Sequence, residues 1–292
     1  LVKAAQKNPP GWAVPPTRPA RGPSMASSFS NIGSIRTPLS RRLYWGIAAL
    51  TFIVPALAWW LISLTGAIDP LFLPSPSGVW DTAVRLADNG KLWSDIGWSV
   101  SRVLIGFGLA AVIAVPIGIL MGTFHVADAI FEPMTDFIRY MPAAAFIPLI
   151  MLYVGIGEAS KILMIFIGTY FQLVLLVAVV ARNVSHDLIK VGYTLGTNRR
   201  KTLLHIIVPA SLPGLADTLR ITLGWAWTYV VVAELIAAQQ GLGFRIMEAQ
   251  RFLQTGTIFL YILIIGLLGL VSDQLIRWLA AKALPWAEEL HK

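Results

Sequence analysis

The chain has 292 residues, 56% of them hydrophobic and only 13% charged. Soluble domains carry about 25% charge, and a soluble fold of this length would be left with large apolar patches, so lipid is the solvent that fits. The net charge of +8 falls at the flanks of apolar runs and in the N-terminal segment, which argues against nucleic acid, and the lack of cysteine excludes disulfides, Cys-ligated metal and a Cys nucleophile.

Residues 1–40 are rich in Pro, Ser, Arg and Ala and show no apolar period, so they read as a disordered tail. They do not read as a cleavable signal, because the first apolar run begins after residue 42 and is too long. Met25 is a candidate natural start. Six apolar runs follow, at residues 43–65, 103–124, 140–157, 162–181, 221–244 and 252–272, and only Glu234 charges one of them. A bilayer crossing takes about 20 apolar residues, and a helix satisfies its own backbone in lipid. The expected fold class is therefore all-α integral membrane, with six transmembrane helices in a domain over 41–286 and a short tail at 287–292.

Arg36, Arg41 and Arg42 precede the first run. Arg182, Lys190, Arg199, Arg200 and Lys201 separate the fourth from the fifth, and Arg277 and Lys282 follow the sixth. Six spans put these groups on one side, which the positive-inside rule makes cytoplasmic, with both termini. The loop expected at 125–139 falls on the same side although it leans acidic. Seven tryptophans, among them Trp59, Trp60, Trp98 and Trp278, sit near run ends as an aromatic belt does. On the outer side Ser75 and Pro76 form an N-cap and N1 pair. Val79, Trp80, Ala83, Val84 and Leu86 then give the helix they open an apolar face suited to the membrane surface.

Residues 190–209, KVGYTLGTNRRKTLLHIIVP, interrupt the apolar pattern. A short helix over 188–195, a turn at Gly196, Thr197 and Asn198, and a second helix over 199–207 make a hairpin. Gly196 admits a positive φ and Asn198 can cap the second helix. Leu203, Leu204, Ile206 and Ile207 form that helix's apolar side, and Pro209 stops it or marks entry into the fifth span. The bland alternative is a solvated loop carrying positive-inside charge.

Gly196, nine residues, then Ile206-Ile-Val-Pro209 resembles the "EAA" loop of ATP-binding cassette (ABC) importer permeases. Lys190-Val191-Gly192 stands where that loop has Glu-Ala-Ala, so its acidic residue is missing here. IDPLFLPSP at 68–76, GIGEASK at 155–161, AELIAA at 233–238 and GLGF at 241–244 resemble the nitrate/taurine/sulfonate branch, most closely taurine permeases. The resemblance covers roughly residues 43–286. It implies a type I importer permease fold in the bacterial inner membrane, working as a homodimer. It also implies two cytoplasmic ATPases gripping the 188–209 hairpin through Lys190, Gly192, Gly196, Thr197, Asn198, Arg199, Arg200 and Pro209. It further implies a periplasmic or lipid-anchored binding protein that delivers the solute. No Gly-rich loop with Lys-Ser/Thr is present, so ATP and magnesium belong to the partners and this chain is expected to bind no cofactor.

Arg102 and Glu234 fall near the outer ends of the second and fifth spans. Ionisable residues in spans are functional candidates, and here they line a pathway or gate, snorkel to the interface, or pair between helices. Tyr170, Gln172, Trp225, Trp227 and Tyr229 place polar-edged aromatics at mid-span, where they line a pathway or simply pack. Met141 and Phe146 lie in a Pro- and Ala-rich segment suited to a gate or a dimer axis. Asp217 and Arg220 make an i,i+3 pair, either a gate or a surface ion pair. Gly118 and Gly122 form a small-residue face for helix packing. The four histidines show no metal spacing, and no nucleophile elbow or carboxylate pair appears. The expected function is an importer permease for a small anionic or zwitterionic solute, taurine or a sulfonate first, nitrate or bicarbonate next. The rivals are an autonomous secondary transporter or channel, which needs paired midplane acids, and a membrane enzyme, which needs a catalytic cluster.

Overall fold

A computed structural model of the chain describes residues 40–287. The tails expected over 1–40 and 287–292 lie outside these residues, but for positions 40 and 287. All regular structure among the described residues is helical. Contacts divide the chain at Trp59 into two units. Helix α1 (Arg41–Thr65) crosses this division and buries none of its residues.

In the second unit α2 (Pro76–Asp88) starts as expected. Ser75 Oγ accepts the Gly78 N–H at 3.1 Å and Pro76 takes the first turn. Val79 and Leu86 turn inward and Ala83 is half-buried, whereas Trp80 and Val84 stay exposed, so two of the five residues of the expected apolar face are buried. The long helices are α3 (Lys91–Thr123), α6 (Glu158–Arg182), α9 (Val208–Ala237) and α11 (Thr255–Ala283), and α10 (Leu242–Arg251) packs on α9 and α11.

α3 and α6 form the closest pair because glycines bring their backbones together. A Cβ built at Gly118 would lie 2.6 Å from the Val174 carbonyl oxygen, and one at Gly106 would lie 2.8 Å from Ile165 Cβ. Gly122 meets Ala181 in the same way. Small residues let helices approach in lipid, where dispersion replaces the hydrophobic effect as the force holding them. Ala110, Ala114, Val174 and Val177 fill the seam and are almost fully buried. On its other side α6 takes α9, with Gly168 under the Tyr229 ring and Gly214 under Val180.

The third expected span is not one straight helix. Residues 125–139, expected as a loop, form α4 (His125–Arg139). A 3₁₀ turn (Ala143–Phe146) and α5 (Ile147–Val154) follow, and the two arms are bent 89° apart. Eight residues of α5 rise about 12 Å, well short of the roughly 30 Å hydrocarbon core. Pro142 removes a backbone donor at the break, and Gly155 at φ +85° ends α5. Among the described residues five helices are therefore long and apolar enough to cross a membrane, or six if the bent pair counts as one. Hydropathy registers such a segment but not the turn inside it.

Candidate functional site

Two polar constructions occupy opposite ends of the α3–α6–α9 bundle. The first is the hairpin between α6 and α9. Helix α7 (His186–Thr194) ends in a Schellman motif: Gly196 donates to the Tyr193 carbonyl at 3.0 Å and Thr197 to the Gly192 carbonyl at 3.1 Å. This closure needs a left-handed residue, and Gly196 supplies φ +79°. Asn198 Oδ1 then accepts the Lys201 N–H at 2.9 Å and starts α8 (Arg199–Thr202). The Thr202 hydroxyl donates to the Asn198 carbonyl at 3.0 Å and lies 2.9 Å from the Thr197 hydroxyl. Gly192 is buried under Ile206, whose end a Cβ there would strike. The expected helix–turn–helix is thus a closed, capped tip.

The second arm takes the second of the two readings of Pro209: the proline does not stop it but sits in the first turn of α9, at entry into the fifth span. A π turn (Leu203–Ile207) carries α8 directly into α9, with the Val208 N–H reaching back five residues to the Leu203 carbonyl. The proline ring would clash with the carbonyl of His205 in a regular turn, and the widened turn relieves this. Residues Arg199–Leu235 therefore run as one helix. Its expected apolar side is only partly covered, since Ile207 is buried and Leu204 is exposed. Lys190, Arg199 and Arg200 stand in solvent, interleaved with exposed Leu188, Val191, Tyr193 and Leu195, the last 78% exposed.

The second construction is a buried ion network at the other end. Arg102 on α3 is only 2% exposed. Its Nε and Nη2 donate to the two oxygens of Glu158 at 2.6 and 2.8 Å, a bidentate pair. Its Nη1 donates to Glu234 Oε1 at 2.7 Å and to the Gln240 carbonyl at 2.8 Å. Glu234, fully buried, also accepts from the Ser99 hydroxyl at 2.7 Å and the Gly243 N–H at 2.8 Å. Asp95 accepts from the Gly241 N–H, Arg245 Nε and the Tyr261 hydroxyl at 3.0, 2.9 and 2.8 Å. Lys161 donates to Glu158 at 2.7 Å.

Burying charge is costly unless every group is paired, and each cation here meets a carboxylate. Arg245 illustrates the balance. Burial lowers its pKa, but its bonds to Asp95 and Glu248 outweigh burial and leave the guanidinium above its ordinary value. Gly241 sits inside the knot at φ +119°, where a Cβ would come within 2.6 Å of Arg102 Nη1. The network thus fixes the turn after α9 to α3, α6, α10 and α11.

The structure sorts the remaining candidates. Met141, Phe146, Gln172 and Tyr229 line one small cleft beside Gly168. Tyr170 lies outside it, stacked on Phe166 at 5.1 Å between ring centroids. Trp227 is buried and lines a different groove, of about 680 Å³, between α9 and α11, and its indole Nε1 has no hydrogen-bond partner among the described residues. Trp225 is half-buried and lines neither space. Arg220 pairs with Asp217 at 3.3 Å and with Asp273 at 2.8 Å, joining α9 to α11. Among the described residues no group of three or more His, Asp or Glu could hold a metal ion.

Sequence reasoning missed Asp95, Glu158, Lys161, Arg245 and Tyr261. A signal was present in part: Asp95, Ser99 and Arg102 are spaced i, i+4, i+7 and share one helical face. Nothing in the local pattern pairs them with α6, α9 or α11.

These features define a polytopic helical membrane protein with a rigid polar hairpin at one end and a locked ion network at the other. Residues 114–284 match the family described as "Binding-protein-dependent transport system inner membrane component", and the chain belongs to that family. It is a permease subunit of an ABC importer. A probable ABC transporter permease protein of Brucella abortus is 40% identical over 243 residues, covering 83% of this chain and 96% of that one. The taurine transport system permease protein TauC of Escherichia coli is 32% identical over 260 residues, covering 87% and 94%. Inward-facing structures of the MetNI methionine ABC transporter superpose with a TM-score of 0.54 at 19% identity, over 63% of this chain and 93% of that one, a likeness of fold.

Proposed function

We propose that two copies of this chain form the pathway of an ATP-driven importer for a small anionic or zwitterionic solute. Taurine or another sulfonate is the first choice, with nitrate and bicarbonate sharing its size and charge. The similarity to a taurine permease over 87% of the chain supports that choice. Two cytoplasmic ATPases hold ATP and magnesium, and a periplasmic or lipid-anchored binding protein brings the solute to the outer face. The chain itself binds no cofactor and catalyses no reaction. It lies in the bacterial inner membrane with both termini and the hairpin in the cytoplasm.

The observation that carries this reading is the hairpin. Its tip is closed by the Schellman motif and the Asn198 cap, and its second arm is continuous with α9. A displacement applied at the tip therefore reaches the bundle rather than being absorbed by a loose loop, as rigid-body switching requires. The exposed leucines, Tyr193 and basic side chains around the tip offer a partner both apolar area and charge. Lys190 gives the tip a cation where the "EAA" loop it resembles has an acidic residue. The ATPase groove that accepts it is expected to be correspondingly acidic.

The test is to replace Gly196 by Val, or to delete residues 197–200, in the full transporter. ATPase co-purification and ATP-driven uptake should both be lost while membrane insertion persists. If both survive, the coupling role is wrong.

A further inference from the structure

Trp98, Arg102, Gly157, Glu158, Lys161 and Gln240 surround a cavity of about 340 Å³ at the network end of the bundle. We propose that this cavity is an anion subsite whose resident anion is the Glu158 carboxylate, exchangeable for the oxyanion of a small soluble solute. The proposal rests on the importer reading above and names a place where the solute's charged group is met.

Three observations carry it. First, the floor is cationic. Arg102 and Lys161 have side chains 2% and 6% exposed; Arg102 donates to both oxygens of Glu158 and Lys161 to Oε1. A planar carboxylate held in a bidentate clasp, with a third donor on one oxygen, has the donor pattern that a sulfonate or carboxylate would use.

Second, Glu158 differs from the other carboxylates of the network. Glu234 and Asp95 are sealed, at 0% and 1% exposed, whereas Glu158 is 43% exposed. It is the first residue of α6, just after Gly155 and Gly157, where nothing within 4 Å would meet an added Cβ. Its bonds can exchange without opening the core. Glu234 and the Gln240 carbonyl keep Arg102 Nη1 in place meanwhile.

Third, the mouth of the cavity can receive a ligand. Trp98 lies over the Arg102 guanidinium, 5.4 Å from its ring centroid. The exposed Gln239 and Gln240 supply further polar edges. The volume is ample for a sulfonate, which needs little more than the space of a few waters.

In this arrangement an arriving oxyanion takes over the Arg102 and Lys161 donors, and Glu158 swings into water. Removing the competing carboxylate should therefore strengthen anion binding, the opposite of what loss of a merely structural ion pair predicts. The probe is methanesulfonate, titrated calorimetrically into the full chain in non-ionic detergent, with dimethyl sulfone as the uncharged control. Glu158→Gln should bind methanesulfonate about tenfold more tightly than wild type, a change of about 1.4 kcal/mol. Adding Lys161→Gln should abolish the gain, and the sulfone should not bind.

Glu158→Ser, which also removes the charge, serves if the glutamine variant proves unstable, and size-exclusion profiles check both. Unchanged or weaker binding in both variants overturns the proposal. So does Glu158-dependent binding of short-chain phosphatidylglycerol without binding of methanesulfonate, which would make the cavity a lipid headgroup site. ATPase co-purification with wild type, scored separately, distinguishes failure of this subsite from failure of the importer reading.

Discussion

Replacing Arg102 with Met keeps most of the side-chain stem and removes the charge. The consequence depends on which carboxylate is stranded. Glu158 is 43% exposed and can turn to water, so its loss of partner adds little. Glu234 is fully buried and keeps only the Ser99 hydroxyl and the Gly243 N–H. An uncompensated buried carboxylate costs about 3–5 kcal/mol, and that is the expected destabilisation. Glu234→Leu alone should cost less, about 1–3 kcal/mol, because Arg102 retains Glu158 and the Gln240 carbonyl. The double variant Arg102→Met/Glu234→Leu removes the stranded charge and should recover to within about 2 kcal/mol of wild type, since apolar replacement of a whole buried pair is often near neutral. Equilibrium unfolding of the purified chain in mixed micelles, followed by far-UV circular dichroism, gives all three values. Full additivity of the single losses in the double variant, or a loss below about 1 kcal/mol for Arg102→Met, would refute the network as the lock of this end.

Gly118→Leu should destabilise by about 1–3 kcal/mol or more through overpacking. The obstacle is the Val174 backbone oxygen, 2.6 Å from the new Cβ, which cannot move aside as a side chain can. The same unfolding assay checks it, and Gly108→Leu, where no atom lies within 4 Å of an added Cβ, is the tolerated control. Asn198→Ala removes the cap bond to the Lys201 N–H and should cost about 1 kcal/mol locally. Amide hydrogen exchange should then speed up at Lys201 and Thr202 while α6 and α9 keep wild-type protection. Uniform loss of protection along the chain would mean that the tip is not an independently capped unit.

Much was legible in the sequence because it depends on local rules. Composition and run length dictate a membrane solvent and helices. Ser75-Pro76 marks the start of α2, and Gly196 with Asn198 marks the hairpin turn, since only certain residues satisfy those backbone positions. Gly118 and Gly122 announce a close helix contact, although not that the partner is α6. Tertiary structure decided the rest. Arg102 and Glu234 read in sequence as pathway residues, as side chains snorkelling to the interface or as interhelical partners. They are 132 residues apart in sequence and meet at 2.7 Å, and only packing brings Glu158, Asp95 and Arg245 to the same knot. Residues 140–157 have the hydropathy of a span, but Pro142 and the turn after it fold the segment into a bent pair. Pro209 reads either as a stop or as the entry to the fifth span, and the π turn that joins the hairpin to α9 selects the second. In each case a local signal fixes what a residue tolerates, while long-range contacts select which tolerated state is lowest in free energy.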